Sequence, residues 1–147
     1  MIQVEPATPH DREALHALFR AQYDEHGIEI TDARVASGVD GVLSDARRGF
    51  VLVARDAGKV IGFAGMTFLW SFEHGGPAAW LEELYVVPER RAHGIGGALI
   101  EEAIHVARTR GCLAVDLEVA ASHARAESLY LRHDFVRHSR ARFVRRL

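Results

Sequence analysis

The chain has 147 residues, a length that fits one domain and leaves little room for a second. Hydrophobic residues make up 48% and charged residues 26%, which is enough apolar material for a core without disulfides. A net charge of -2 argues against a general nucleic-acid binder. No apolar stretch is long enough to span a bilayer. We therefore expect one domain over residues 1–147.

The cysteine and histidine content limits which disulfides, nucleophiles and metal sites the chain can have. Cys112 is the single cysteine, which excludes a disulfide framework and fits a reducing compartment. It lies in an apolar run, so we expect a buried small hydrophobe rather than a nucleophile. The 9 histidines form no pair at ligand spacing beside a cysteine or carboxylate cluster, so the sequence predicts no metal site. With no signal peptide at Met1, a cytoplasmic protein is expected.

The order of hydrophobic patterns and turns predicts a mixed α/β domain. Thr8 followed by Pro9 is typical of a helix start, whereas Gly38 and Gly41 weaken the second helix. An antiparallel meander followed by a strand-helix-strand crossover indicates a mostly antiparallel central sheet flanked by helices. The predicted elements are a strand over 2–6, helices over 9–27 and 32–47, strands over 50–54, 60–72 and 79–87, a helix from the glycine loop to 111, a strand over 112–119, a helix over 122–133, and one or two strands over 135–146.

The C-terminal segment is locally rich in arginine from Arg137 to Arg146. Apolar residues interrupt the charges and no set of stacking aromatics accompanies them, so a solvated edge strand is favoured over a nucleic-acid arm. Because strand edges pair readily with other strands, a homodimer through this segment is a further prediction.

A glycine-rich loop lies between the strand that stops at Pro88 and the next helix. The first turn of a helix has unpaired N–H groups and the positive end of the helix dipole. Glycines at this point remove side chains, so an anion can approach the backbone closely. The residues expected to hold the anion are Arg91, Ala92, His93, Gly94, Ile95, Gly96 and Gly97.

Three kinds of anion-binding loop compete for this segment. A P-loop needs lysine and then serine or threonine after its last glycine, but Gly97 is followed by Ala98 and Leu99. A dinucleotide fingerprint needs a third glycine where Leu99 stands, and the loop lies too far along a short chain to leave a substrate domain. The pattern Arg/Gln-x-x-Gly-x-Gly/Ala is met by Arg91, Gly94 and Gly96.

With this loop, the sequence resembles the GNAT superfamily of N-acetyltransferases. The run Leu-Glu-Glu-Leu-Tyr-Val-Val-Pro-Glu-Arg-Arg-Ala-His-Gly-Ile-Gly over 81–96 is similar to the family's central strand and pyrophosphate loop. The run Ala-Glu-Ser-Leu-Tyr-Leu-Arg-His-Asp-Phe over 126–135 resembles its second motif, Ala-x-x-Leu-Tyr-x-x-x-Gly-Phe. The resemblance implies a GNAT-like acyl-CoA N-acyltransferase fold and acetyl-CoA as co-substrate.

Two positions depart from the family pattern. His123 stands where the family often has an asparagine that helps hold the cofactor, although histidine can also donate a hydrogen bond. Asp134 stands where the motif has glycine, and aspartate is among the few residues that tolerate a left-handed helix end. The resemblance further implies that the pantetheine arm pairs with the backbone of Leu84, Tyr85 and Val86.

Direct attack of an amine on a thioester needs a neutral amine, a stabilised oxyanion and a protonated leaving thiolate. Glu82 and Glu83 are the candidate bases, with at most one expected to face the cleft because strand residues alternate. Glu82 is preferred slightly from its place in the resembling Leu-Glu-x-Leu pattern. Tyr130 is the candidate general acid and also a cofactor contact, a role that the resemblance implies. A backbone N–H near Tyr85 or Val86 is the expected oxyanion donor.

The resemblance implies that the acceptor pocket is built by the first two helices and the hairpin after the third strand. Acidic groups mixed with aromatics would suit a cationic amine. A small polyamine or other amine-bearing metabolite is the first choice, and a protein lysine or N-terminus is the second. The residues expected in this pocket are Tyr23, Asp24, Glu25, His26, Glu29, Trp70, Phe72, Glu73 and His74.

Two other functions stay open at the level of the sequence. A non-catalytic acyl-CoA-binding module would keep the loop but would have no use for Tyr130 or a strand carboxylate. A nucleotide-binding oxidoreductase would use the loop for a dinucleotide.

Overall fold

A computed structural model describes all 147 residues and contains one five-stranded sheet in the order β1-β2-β3-β4-β5. The first four strands pair antiparallel, and β4 pairs parallel with β5, which confirms the predicted meander and crossover. The strands are β1 (Ile2–Pro6), β2 (Gly49–Asp56), β3 (Lys59–Ser71), β4 (Gly76–Val86) and β5 (Val115–Leu117).

Four helices flank this sheet, and local signals in the sequence set their ends. Thr31 caps the second helix, where its hydroxyl accepts a hydrogen bond from the backbone N–H of Arg34 at 3.2 Å. Gly27 follows the first helix with a left-handed φ of 66°, as predicted. No helix combines the length and the hydropathy needed to cross a lipid bilayer. The helices are α1 (Arg12–Glu25), α2 (Asp32–Ser44), α3 (Ile95–Thr109) and α4 (Ala124–Arg132).

The two faces of the sheet carry separate apolar layers. On one face, α1 and α2 pack on the sheet, and the rings of Phe19 and Phe63 stack with centroids 4.1 Å apart. On the other face, α3 buries Leu99 and Ile100 completely against the strands. Burying one such side chain stabilises a fold by about 1.5–3 kcal/mol, so both layers hold β4 firmly between them.

Two irregularities shape the C-terminal half of β4. A bulge lies opposite Gly65 and Met66, which pair with Glu83 and Leu81, so that Glu82 is the extra residue. The pairing of β4 with β5 covers only residues 79–81 of β4. Beyond Leu81, the edge of β4 that faces β5 is therefore free of a strand partner.

The predicted strands over 135–146 are wrong, because this segment has no regular secondary structure. β5 is also shorter than the predicted strand over 112–119 and offers only three residues to pair with. The segment is held instead by exposed ion pairs, among them Arg140 to Glu73 at 2.7 Å. Val136 and Phe143 stay largely exposed. The homodimer through this segment stays a prediction without a strand to support it.

Candidate active site

The loop before α3 presents a row of unpaired backbone N–H groups. The N–H groups of Ala92, His93 and Gly94 donate to no protein acceptor, and these three residues are exposed. The first helical hydrogen bond of α3 runs from the N–H of Ala98 to the carbonyl of Gly94 at 3.0 Å. The first turn of α3 therefore also has free donors at the positive end of its dipole. This arrangement is suited to a diphosphate.

The three glycines of this loop have different surroundings. Gly94 precedes α3 with a left-handed φ of 78°, and a Cβ there would meet nothing within 4 Å. A Cβ at Gly96 would lie 3.3 Å from Leu129 Cδ2, and one at Gly97 would lie 3.1 Å from His133 Nε2. Gly96 and Gly97 thus let α4 pack closely on α3, a role that the sequence interpretation of all three as anion contacts missed.

Arg91 is anchored to the protein rather than free beside the loop. Its Nε donates to the carbonyl of Val86 at 2.8 Å, and its guanidinium bonds both oxygens of Glu25 at 2.8 and 2.9 Å. The guanidinium carbon also lies 5.3 Å from the centre of the Tyr85 ring. Because Glu25 neutralises this charge, Arg91 mainly fixes the loop to the end of β4 and to α1.

The free edge of β4 exposes the backbone of alternate residues. The N–H of Val87 donates to Ile61 on β3 at 2.9 Å. By alternation, the backbone groups of Tyr85 also face β3, whereas those of Leu84 and Val86 face the free edge. Leu84 and Val86 therefore fit the predicted pairing with an extended ligand, and the backbone of Tyr85 does not.

The bulge brings both candidate bases to one side of the sheet. Glu82 and Glu83 line the same cavity beneath α1 and α2, so the expectation that only one of them faces the cleft is wrong. Strand alternation fails here because the bulge inserts one residue. Glu83 is half-buried, and its Oε1 accepts a hydrogen bond from the Tyr23 hydroxyl at 2.7 Å. Burial raises the pKa of Glu83, and the bond from Tyr23 opposes part of that rise.

Tyr130 lies on α4, with its ring edge-on to Phe135 at a centroid distance of 5.8 Å. Its hydroxyl makes no hydrogen bond within the protein. Burial, with a further contribution from the negative charge of Glu83, raises the pKa of Tyr130 to about 12. Tyr130 therefore keeps its proton at neutral pH and is close enough to Glu83 to sense its charge.

Gln22 is a site residue that sequence reasoning missed. It is 4% exposed, and its Nε2 donates to the carbonyl of Leu84 at 3.3 Å. Its Oε1 is buried without a hydrogen-bond donor. The signal was a polar residue on the apolar face of α1, three positions after Phe19 and seven after Leu15. A buried acceptor atom beside the free edge of β4 is available to a bound molecule.

His123 lies immediately before α4, where its imidazole contacts that of His26 with centroids 4.6 Å apart and the ring planes tilted by 45°. Burial, followed by the charge of His123, lowers the pKa of His26. The contact between the two imidazoles therefore joins the end of α1 to the start of α4. No group of three or more histidine, cysteine, aspartate or glutamate side chains is arranged to hold a metal ion.

Most of the residues expected in the acceptor pocket do not meet there. Tyr23 lines the cavity beside Glu83, but Asp24 and Glu29 line an open outer surface between α1 and α2. The hairpin lies farther along the sheet: Trp70 and Phe72 are 74% and 101% exposed. Other members of the expected set have partners elsewhere, namely Glu25 with Arg91, Glu73 with Arg140 and His74 with Asp116.

Comparisons with known proteins agree with this geometry. The model of the Acetyltransferase (GNAT) family matches residues 12–135. An aminoglycoside N(6')-acetyltransferase type 1 from Klebsiella aerogenes is 30% identical over 116 residues, which cover 78% of this chain and 76% of that one. A glucosamine 6-phosphate N-acetyltransferase from Trypanosoma brucei brucei is 31% identical over 96 residues, covering 60% and 65% of the two chains. The solved structure of an aminoglycoside N-acetyltransferase, AAC(6')-Iy in complex with CoA, shares the fold with a TM-score of 0.86 at 18% identity, covering 99% of this chain and 95% of that one.

Proposed function

The chain belongs to the acetyltransferase (GNAT) family, and we propose that it moves an acetyl group from acetyl-CoA to a primary amine by direct attack. The acceptor is a small cationic metabolite or, as the second choice, a protein amine. The observation that carries the proposal is the free edge of β4, which lies between a candidate proton acceptor and a candidate proton donor. Glu83 lies on the α1 side with a raised pKa, and the protonated Tyr130 lies on α4.

The chain offers a complete set of contacts for the donor substrate. The unpaired N–H groups from Ala92 to Gly94 and the first turn of α3 would hold the diphosphate. The edge groups of Leu84 would pair with the pantetheine arm, and the carbonyl of Val86, which already accepts from Arg91, can accept a second hydrogen bond from it. His123, Ile95, Gly96 and Gly97 remain further predicted contacts of the cofactor. The thioester would then lie between Glu83 and Tyr130.

The catalytic roles follow from protonation states. An alkylammonium has a pKa of about 10.4 in water, so the attacking amine must lose a proton, and Glu83 takes it. The amine nitrogen then bonds to the acetyl carbon while the carbon–sulfur bond breaks. Tyr130 donates its proton to the departing sulfur, and its oxygen takes up the second proton that the amine nitrogen loses as the amide forms. The N–H of Val86, on the free edge, is the proposed donor to the developing oxyanion.

The activities that the relatives are named for support an amine acceptor. The similar proteins act on an aminoglycoside and on glucosamine 6-phosphate according to their names. Family membership also leaves no support for the oxidoreductase alternative. The non-catalytic acyl-CoA-binding module is disfavoured because the hydroxyl of Tyr130 and the carboxylate of Glu83 would both stand at the opening without use.

Thiol release across a panel of amines tests the proposal. We expect coenzyme A to be released from acetyl-CoA only when a suitable primary amine is present. Calorimetry with coenzyme A and NAD side by side gives a second test, in which only coenzyme A should bind. Tight coenzyme A binding without turnover on any amine would favour the binding module instead.

Gly94→Ala should weaken coenzyme A binding about tenfold, which corresponds to about 1.4 kcal/mol. The left-handed φ of 78° at Gly94 strains any other residue and would turn the loop N–H groups away from the diphosphate. Gly111→Ala is the matched control, because Gly111 has a φ of 82° and open space at the other end of α3. Both variants should lose similar stability in thermal unfolding. Equal coenzyme A affinity in the two variants would count against the loop as the diphosphate site.

A further inference from the structure

A small, mostly apolar cavity of about 110 Å³ lies between the sheet and the first two helices. Phe19 on α1, Val39 and Val42 on α2, and Val51 on β2 are among its lining residues. The apolar part of this lining has no partners for hydroxyl groups, so burying a polyhydroxylated ring against it would be costly. The cavity suits a compact apolar group instead.

The charged groups around this cavity have opposite signs. Glu82 and Glu83 line it from β4, and Arg34 on α2 is the one basic residue in its lining. The guanidinium of Arg34 has no salt bridge or hydrogen bond within the protein, although the charge of Arg34 acts on the Tyr23 hydroxyl. A molecule with an ammonium group and an anionic group would match both ends of this arrangement.

Gly38 gives the cavity part of its room. It belongs to the helical face of α2 that also carries Arg34, Val35 and Val42, and all four line the cavity. A Cβ at Gly38 would meet nothing within 4 Å. In the sequence, Gly38 is noted only because glycine weakens the helix. In the structure, the absence of a side chain at Gly38 leaves space in the lining of the cavity.

From these observations we infer that the acetyl acceptor is an apolar amino acid. Its ammonium group lies at Glu82 and Glu83, its side chain enters the cavity, and its carboxylate faces Arg34. This inference rests on the proposed acetyl transfer and replaces the small cationic metabolite with a zwitterion, whose carboxylate balances its ammonium group.

Acceptors that differ by one group test the inference. Leucine, leucinamide and isoamylamine share the isobutyl group, but only leucine has a carboxylate. We expect kcat/KM to be at least tenfold higher for leucine than for either of the other two. A polycationic aminoglycoside should be a poorer acceptor than leucine. Equal rates for leucine and leucinamide would overturn the role of Arg34, and a preference for the aminoglycoside would overturn the apolar pocket.

Two variants separate the parts of the proposed site. Arg34→Gln should raise the KM for leucine about tenfold and leave the KM for isoamylamine nearly unchanged. A Cβ at Gly38 meets nothing within 4 Å, and leucine favours helix more than glycine does, so Gly38→Leu should narrow the cavity and retain the fold. The variant should no longer acetylate free leucine. It should still acetylate free glycine, which has no side chain, at the wild-type rate. Loss of both substrates to the same extent would contradict the cavity as the side-chain site.

Failure of this inference is distinguishable from failure of the proposed function. Turnover of other primary amines, with no preference for apolar amino acids, would overturn the inference and leave acetyl transfer standing. Absence of thiol release with every amine, despite coenzyme A binding, would overturn both.

Discussion

Glu83→Gln is expected to lower kcat roughly 10²- to 10³-fold, because general base catalysis supplies an effect of this order. Glutamine keeps the size of the side chain and can still bond the Tyr23 hydroxyl, which lies 2.7 Å from Glu83 Oε1. It cannot take the proton of the attacking ammonium. The loss in kcat is measured from steady-state rates of both proteins at saturating concentrations of one amine and of acetyl-CoA.

The pH dependence of the rate in wild type and in Glu83→Gln tests the role of Glu83 as the base more specifically. Only ionised Glu83 accepts a proton, so the rate should rise with pH through the pKa of Glu83. Burial raises that pKa above the ordinary glutamate value of about 4.3, so the acid limb should lie above that value. In Glu83→Gln this limb should disappear, leaving only the titration of the amine itself.

Glu82→Gln is the matched control for the base. Glu82 is the neighbouring residue of the same type, and it is exposed where Glu83 is half-buried. We expect it to raise the KM for the amine through weaker attraction and to keep the acid limb. A larger fall in kcat for Glu82→Gln, with loss of the acid limb, would move the base to Glu82.

Tyr130→Phe is expected to lower kcat about 10²-fold, at the lower end of the range for general acid catalysis. Phenylalanine keeps the packing on Phe135 and removes only a hydroxyl that has no partner in the protein. The free energy of unfolding and the affinity for coenzyme A should therefore change little. Calorimetry and thermal unfolding check both expectations.

The chemistry of the leaving group tests the role of Tyr130 directly. An aryl thioester leaves as a stable thiolate and needs no proton, so the defect of Tyr130→Phe should shrink with that substrate. An equal defect with alkyl and aryl thioesters would make Tyr130 a packing residue. Because burial raises the pKa of Tyr130 to about 12, wild-type activity should show no alkaline decline from this residue at moderately basic pH.

Local signals in the sequence predicted the order of most elements. Thr8, Gly27 and Pro88 stand at element ends, and turn chemistry of this kind acts over a few residues. The strands predicted over 135–146 do not form, because a strand needs a partner and the three residues of β5 offer few pairing positions. Pairing between strands depends on distant parts of the chain, which local patterns do not reveal.

The candidate site was predictable only in part, for the same reason. The glycine loop and Tyr130 stand in motifs with fixed spacing, whereas Gln22 reaches the Leu84 carbonyl across 62 positions of sequence. The bulge that turns Glu82 and Glu83 to one cavity is a property of the pairing with β3. Strand alternation alone predicts opposite faces. Contacts made by packing therefore had to come from the structure.

Mass spectrometry of protein and amine after a single turnover tests acetyl transfer by direct attack most directly. Protein incubated with acetyl-CoA alone should keep its mass, because no side chain accepts the acetyl group. Addition of an acceptor amine should then give an amine with one acetyl group and an equal amount of free coenzyme A. A protein that gains an acetyl group and passes it to the amine, or an amine that stays unmodified while coenzyme A is released, would contradict the account.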